Sequence, residues 1–180
     1  MVYIHLASGF EEVEALTAAD LLRRAGADAM LVSVTGEKTV AGAHGLRIEA
    51  DLLFEDADYA GCDMIVLPGG MPGTLNLEKS RTVQDAIDYC TEKGKYIGAI
   101  CAAPSVLGKK NLLTGKKATC FPGFEDFLLG AEFTGAPVEL DGKIITARGA
   151  GVAVEFGLKL AAVLKGKAAS DKVRAAMRCI

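Results

Sequence analysis

The fold of this chain is decided by residues 95–104, which read Lys-Tyr-Ile-Gly-Ala-Ile-Cys-Ala-Ala-Pro. The apolar run before the cysteine predicts a buried strand, and Pro104 lies where the first turn of a helix tolerates proline. Cys101 is therefore expected at a nucleophile elbow, the sharp strand-to-helix turn that presents a nucleophile at the edge of a sheet. The dipole of the following helix should depress the pKa of this thiol. The alternative is a small buried cysteine that ends a core strand.

Strands alternate with helices over most of the remaining chain. Buried strands are predicted at residues 2–7, 29–34 and 64–67, helices at about 10–24, 81–93, 124–129 and 148–164, a short strand at 118–120, and a hairpin at 138–147. Residues 36–51 carry glycines and an alternating pattern, which predicts β-structure at the surface or at a subunit contact. This alternation predicts an α/β fold with an open, mostly parallel sheet and helices on both faces.

The first helix has an apolar stripe that predicts which of its faces is buried. The stripe consists of Val13, Leu16, Ala19 and Leu22, widened by Leu21. Three carboxylates, Glu11, Glu12 and Glu14, lie at or near the start of this helix, where the dipole favours negative charge for structural reasons alone. Glu14 is also a candidate for an inward-pointing group, because Ala15 and Leu16 follow it.

Composition excludes several classes of protein. The chain has 180 residues, a net charge of −3 and 51% hydrophobic residues, which predicts one globular domain spanning residues 1–180. It has no long basic run and no apolar segment of membrane-spanning length, so neither nucleic acid nor a membrane is an expected partner. Its five cysteines show no Cys-x-x-C pair, and the N-terminus lacks a signal-peptide pattern. We therefore expect free thiols and a cytoplasmic protein.

Three loops that follow strands carry the residues suited to chemistry. They are residues 9–14, 68–73 and 101–104. In an open α/β sheet, ligands bind outside the carboxyl ends of the strands, so these loops are expected to converge. The glycine pair Gly69-Gly70 allows the backbone to approach closely, and its N–H groups are candidates for an oxyanion hole beside the thiol. A plain tight turn is the alternative for this segment.

Four motifs of this chain resemble the ThiJ/PfpI superfamily in order and spacing. They are Gly9-Phe10-Glu11-Glu12-Val13-Glu14, Val66-Leu67-Pro68-Gly69-Gly70, Ala99-Ile100-Cys101-Ala102-Ala103-Pro104 and Thr146-Ala147-Arg148-Gly149-Ala150-Gly151. The resemblance runs from Val2 to about Gly166 and is to the DJ-one-like branch, that of the Parkinson's-disease protein deglycase. It implies a flavodoxin-like sheet and a homodimer.

The same resemblance assigns roles to individual residues. Cys101 matches the reactive cysteine of the family and Glu14 matches its protonated glutamate, which would donate a hydrogen bond to the thiolate and shuttle a proton. Gly70 and Ala102 match the backbone donors near the thiol. Ala102 also stands where the protease branch carries histidine, which argues against a Cys-His protease.

Three further positions are possible contributors to the site. Phe121 stands where the family's human member has a histidine, and His44 matches an arginine that reaches the partner subunit's site. A surface histidine in a loop is the alternative for His44. Arg148 belongs to the last of the four motifs. His5, within the first strand, is expected to be a packed core residue rather than a base.

The resemblance implies a cofactor-independent glyoxalase or protein deglycase that acts on methylglyoxal or its adducts, including glycated groups. The alternative function is a cysteine-oxidation stress sensor or redox-regulated chaperone, in which Cys101 is oxidised to a sulfinate. Neither function requires a metal, and the cysteines and two histidines of the chain show no metal-ligand spacing. We therefore expect no cofactor and no metal.

Overall fold

The computed structural model describes residues 1–179. Its strands are β1 (Val2–Leu6), β2 (Ala29–Ser33), β3 (Thr39–Ala41), β4 (Arg47–Glu49), β5 (Leu52–Leu53), β6 (Met64–Leu67), β7 (Tyr96–Ile100), β8 (Lys117–Ala118), β9 (Glu132–Phe133), β10 (Val138–Asp141) and β11 (Ile144–Ala147). Its helices are α1 (Glu12–Arg24), α2 (Gly73–Lys79), α3 (Arg81–Glu92), α4 (Pro104–Lys109), α5 (Ala153–Lys165) and α6 (Lys167–Ala176).

The central sheet positions the loops that follow its strands. Its strand order is β10-β11-β7-β6-β1-β2-β5, and every neighbouring pair is parallel except β10 with β11. The chain leaves β1 toward β2 on one side and later returns to β6 on the other, so the strand order reverses beside β1. The carboxyl ends of β1, β6 and β7 therefore open onto one crevice, where ligands bind in open α/β sheets.

Helices cover both faces of this sheet, which confirms the predicted flavodoxin-like fold. Alternate residues of β1 point to opposite faces, as the two-residue period of a strand requires. Val2, Ile4 and Leu6 pack toward α1 and α5, against a cluster that includes Ala15, Ala18, Leu22, Phe156 and Leu160. Tyr3 packs on the other face, in a cluster that includes Val83, Ile87, Cys90, Val106 and Leu107.

The structure corrects several of the element predictions. The helix predicted at residues 124–129 is only a 3-10 turn, Glu125–Phe127, and the strand predicted at 118–120 is the shorter β8. Gly108 of α4 approaches the carbonyl oxygen of Phe127 so closely that a side chain there would clash, so this turn is shaped by its packing on α4. The pattern also missed two helices. One is α2, which directly follows the Pro- and Gly-rich residues 68–72, and the other is α6, which directly follows Gly166.

The first helix buries Ala19, Leu21 and Leu22 of its predicted apolar stripe but departs from the prediction at its first turn. Val13 is 51% exposed, whereas Glu12 and Glu14 are buried. The reason is that the loop before α1 is held by the hydrogen bond from Glu11 N–H to Gly69 O at 2.9 Å, and that both buried carboxylates accept hydrogen bonds from backbone N–H groups of other loops. The hydrogen bonds that these two carboxylates gain in the interior therefore stabilise the fold more than the burial of Val13 would.

None of the helices within residues 1–179 combines the length and the apolar character that a membrane span requires.

His5 is a fully buried core residue, as predicted. Its Nε2 lies 2.6 Å from Tyr59 Oη, and the two rings are stacked with an interplanar angle of 5°. Burial lowers the pKa of His5 to about 3. The unfolded chain binds a proton at this residue near pH 6.5, whereas the folded chain does not until about pH 3. The contribution of His5 to the free energy of unfolding is therefore complete above pH 6.5 and is lost as the pH falls toward 3.

We expect His5→Phe to remove this acid sensitivity. At about 1.4 kcal/mol per pKa unit, the free energy of unfolding of the wild type should fall by roughly 2–3 kcal/mol relative to the variant between pH 6.5 and 4.5. Glu14, whose pKa is raised, acts in the opposite sense in the same range, so the difference between the two proteins is the quantity to measure, by urea unfolding at several pH values. His44→Gln removes a histidine whose pKa is raised rather than lowered, so this variant should keep the acid sensitivity. A difference that does not change with pH would contradict the prediction.

Candidate active site

Cys101 lies at a strained turn between β7 and α4. Its φ is 65°, a left-handed conformation that is rare for a residue other than glycine and is typical of functional sites. The Cys101 N–H donates to Ala147 O at 2.8 Å, and Cys101 O accepts from the Phe121 N–H at 2.8 Å. These two bonds stabilise the turn from both sides. The nucleophile elbow predicted from the sequence is therefore present, with a thiol that remains partly exposed.

Glu14 projects from α1 into the interior beside this thiol. The side chain is fully buried, and its Oε2 accepts a hydrogen bond from the Gly69 N–H at 2.7 Å. Gly69 separates the two groups: a Cβ on it would lie 2.6 Å from Cys101 Cβ and 2.8 Å from Glu14 Oε2. Glu14 Oε1 is buried without a hydrogen-bond partner in the described part of the chain, so one carboxyl oxygen is left available beside the sulfur.

The electrostatics of this pair differ from the prediction. Burial raises the pKa of Glu14 to about 7. Burial, and then the charge of Glu14, raise the pKa of the Cys101 thiol to about 12, although the N–H groups of Ala102 and Gly70 lower it. The expectation of a depressed thiol pKa is therefore wrong for the pair at rest, because desolvation and like charge raise the pKa more than the backbone N–H groups lower it. Both shifts disfavour the form of the pair in which the thiol and the carboxyl are ionised together.

Three loops converge around this pair, as the topology predicts. Gly70 has a φ of 87°, and a side chain on it would clash with the backbone N of Glu11. The loop after β1 is joined to the loop after β6 by the bond from Gly73 N–H to Gly9 O at 3.0 Å. The N–H groups of Gly70 and Ala102 both act on the Cys101 sulfur. The site thus combines a thiol, a buried carboxyl and two backbone donors.

His44 does not reach the thiol within this chain. It is exposed, its Nδ1 lies 2.9 Å from Glu12 Oε2 and 3.5 Å from Glu11 Oε2, and its N–H donates to Glu12 Oε1 at 2.8 Å. The hydrogen bond to Glu12 raises the pKa of His44. The desolvation of Glu12 is outweighed by the hydrogen bonds from His44 and Leu46, so the pKa of Glu12 is lowered. Glu12 therefore binds the β3–β4 segment to α1.

These same three side chains offer ligand atoms that lie within 4.8 Å of one another. The sequence shows no metal-ligand spacing, and these three residues come together only in the folded chain. The pattern missed the set because His44 is distant from Glu11 and Glu12 along the chain. The buried member, Glu12, already uses both oxygens in hydrogen bonds to the β3–β4 segment, which is a structural role.

Phe121 and Arg148 lie beside the elbow, on the walls of a cavity of about 410 Å³. The cavity is lined by Phe121, Pro122, Arg148, Gly149, Ala150, Gly151 and Val152. Cys101 does not line it but is joined to both walls, since its backbone bonds Phe121 and Ala147, the residue before Arg148.

Of the other thiols, those of Cys62, Cys90 and Cys120 are buried, so Cys101 alone among these four is both accessible and paired with a carboxyl.

The chain is similar in sequence to a protein family and to several curated proteins. The family model described as the DJ-1/PfpI family matches residues 1–163. "Protein DJ-1 homolog B" of Arabidopsis thaliana is 40% identical over 168 residues, which are 92% of this chain and 38% of that protein. "Glutathione-independent glyoxalase DJR-1.2" of Caenorhabditis elegans is 31% identical over 158 residues, 87% of this chain and 83% of that protein.

Solved structures agree with the sequence comparison. The structure titled "Toxoplasma gondii DJ-1, oxidized" superposes with a TM-score of 0.93 at 36% identity and covers 98% of this chain and 96% of that one. The chain spans less than half the length of the two Arabidopsis relatives, 38% of homolog B and 45% of homolog A.

Proposed function

This chain belongs to the DJ-1/PfpI family, and on that premise we propose that it is a cofactor-independent glyoxalase or protein deglycase that acts on methylglyoxal or its adducts. One relative carries the name of a glutathione-independent glyoxalase. The observation that carries the proposal is the pairing of a partly exposed thiol in a strained elbow with a buried carboxyl whose pKa is near 7. A base is most effective when its pKa lies near the working pH.

The first step is addition of the thiol to the aldehyde. As the Cys101 sulfur forms a bond to the aldehyde carbon, ionised Glu14 accepts the thiol proton, so no free thiolate is needed beforehand. The aldehyde oxygen gains negative charge and takes this proton from Glu14, which gives a hemithioacetal and leaves Glu14 ionised again. The N–H groups of Gly70 and Ala102 lower the pKa of the sulfur, and we assign to them the stabilisation of the charge that develops in this step.

The second step moves hydrogen within the substrate. Glu14 removes the proton from the carbon that bears sulfur, an enediol forms, and the proton is delivered to the neighbouring carbon, which yields a lactoyl thioester. Water then breaks the carbon–sulfur bond and releases lactate and the free thiol. Methylglyoxal and one water are consumed and one lactate is formed, so no external oxidant or reductant is required.

The test is lactate formation from methylglyoxal without glutathione. The wild type should produce lactate at a steady rate. In Cys101→Ser this rate should be at least about 10³-fold lower, because a hydroxyl is a far weaker nucleophile than a thiol at neutral pH. Cys120→Ser, which removes a buried thiol, is the matched control and should keep its activity. No lactate from the wild type, or lactate from Cys101→Ser at the wild-type rate, would contradict the proposal.

A second candidate function is a sensor of oxidation, and one comparison favours it: a structural neighbour at 36% identity is described as oxidized. The Cys101 sulfur would attack peroxide, form an S–O bond and release hydroxide, and a second peroxide would convert the sulfenic acid to a sulfinate with release of water. Clean sulfinate formation by mass spectrometry, together with no lactate, would favour this function over the enzyme.

We also propose that the protein is a cytoplasmic homodimer. Val13 and Leu46 are 51% and 57% exposed, and the Leu46 N–H donates to Oε1 of Glu12, the residue before Val13. Two exposed apolar side chains beside a histidine suit a subunit contact. A monomeric mass at micromolar concentration in analytical ultracentrifugation would contradict the dimer.

A further inference from the structure

The cavity beside the elbow is larger and more apolar than methylglyoxal requires. It measures about 410 Å³, within the range of pockets that bind ligands of drug size. The ring of Phe121 is 46% exposed and forms one wall, with Pro122 next to it. The rest of the lining is the segment 149–152, and Arg148 supplies the one charged side chain of the lining. A large exposed aromatic ring in such a position favours an apolar ligand group.

Both walls are held at a fixed position relative to the thiol. Phe121 is bound through its N–H to the carbonyl of Cys101, and the other wall follows Ala147, whose carbonyl accepts the Cys101 N–H. Gly149 allows the ring to lie against the backbone, since a Cβ there would come within 3.2 Å of Phe121 Cδ2. The backbone of Phe121 is therefore fixed relative to the backbone of Cys101, and its ring lies on the cavity beside the elbow.

We infer that Phe121 is a specificity-determining residue and that the site takes 2-oxoaldehydes whose keto carbon carries an aryl or branched alkyl group, such as phenylglyoxal. This inference rests on the proposed function of Cys101 and Glu14. With the aldehyde carbon bonded to sulfur, the substituent on the neighbouring keto carbon occupies the cavity and packs against the Phe121 ring. The reaction balances as for methylglyoxal: phenylglyoxal and one water give one mandelate, with the hydrogen moved between the two carbons.

The experiment compares kcat/KM for phenylglyoxal and for methylglyoxal in wild type and in Phe121→Ala. Differences of one apolar group in a hydrophobic pocket change kcat/KM by about 10- to 200-fold. We expect the phenylglyoxal-to-methylglyoxal ratio to fall about 10-fold or more in Phe121→Ala, and to fall less in Phe121→Leu, which keeps apolar bulk. Phe133→Ala removes an equally exposed ring outside the cavity and should keep the wild-type ratio.

A second measurement separates this inference from the proposed function. The rates at which N-benzyl iodoacetamide and iodoacetamide alkylate Cys101 also form a ratio, and this ratio needs no turnover. If it falls several-fold in Phe121→Ala while no aldehyde is turned over, the proposed function fails and the apolar subsite stands. If lactate is formed but neither ratio changes in Phe121→Ala, the inference is overturned and the proposed function survives.

Discussion

Glu14→Gln is expected to reduce the turnover of methylglyoxal by about 10²–10⁴-fold, the range that a positioned general acid–base group contributes. The amide keeps the shape of the side chain and one oxygen that accepts from Gly69 N–H, but it cannot take up and release a proton. The pKa of Glu14 is about 7, and the base must be ionised. The wild-type kcat/KM should therefore rise with pH up to about 7 and then level off, and the variant should lack this dependence.

Thiol reactivity in the same variant distinguishes a loss of proton transfer from a loss of structure. The charge of Glu14 raises the pKa of Cys101, so its removal should leave alkylation by iodoacetamide at neutral pH as fast as in wild type or faster. Slower alkylation in Glu14→Leu, which lacks the donor that Gln retains, would mean that Glu14 is protonated at rest and donates to a thiolate, as the family resemblance implies. Glu11→Gln is the matched control for a nearby carboxylate, and wild-type turnover in Glu14→Gln would contradict the acid–base role.

Gly69→Ala is expected to reduce kcat by about 10²-fold or more. The added methyl would lie 2.6 Å from Cys101 Cβ, 2.8 Å from Glu14 Oε2 and 3.0 Å from Ile100 O, so the thiol, the carboxyl or the strand end must move. Misplacement of a reacting group by about 1 Å is enough for a loss of this size. Overpacking should also lower the free energy of unfolding by about 1–3 kcal/mol.

Kinetics and urea unfolding measured together check this prediction. Gly61→Ala is the matched control, because its added methyl meets only ordinary contact with Asp58, and it should leave both kcat and stability nearly unchanged. If Gly69→Ala stays folded and its kcat remains within about 3-fold of wild type, the close approach of Gly69 is not what fixes the distance between Cys101 and Glu14.

The sequence by itself determined the α/β fold and the position of the sharp turn that carries Cys101. Buried parallel strands are read from local apolar runs, and the small residues around Cys101 followed by Pro104 predict a sharp turn before a helix. Both features depend on residues adjacent in the chain, and the structure confirms both, including the positive φ of Cys101. The resemblance in four motifs added the pairing of Cys101 with Glu14, which no single segment indicates.

Only the tertiary structure decided which groups share the interior and how they titrate. The buried face of α1 carries Glu12 and Glu14 instead of Val13, because N–H groups from distant loops bond these carboxylates, and a helical period does not contain those partners. The same holds for His44 with Glu12. The pKa of Cys101 is raised rather than lowered, since desolvation and the charge of Glu14 arise from packing between segments, whereas the sequence reveals only the helix that follows the thiol.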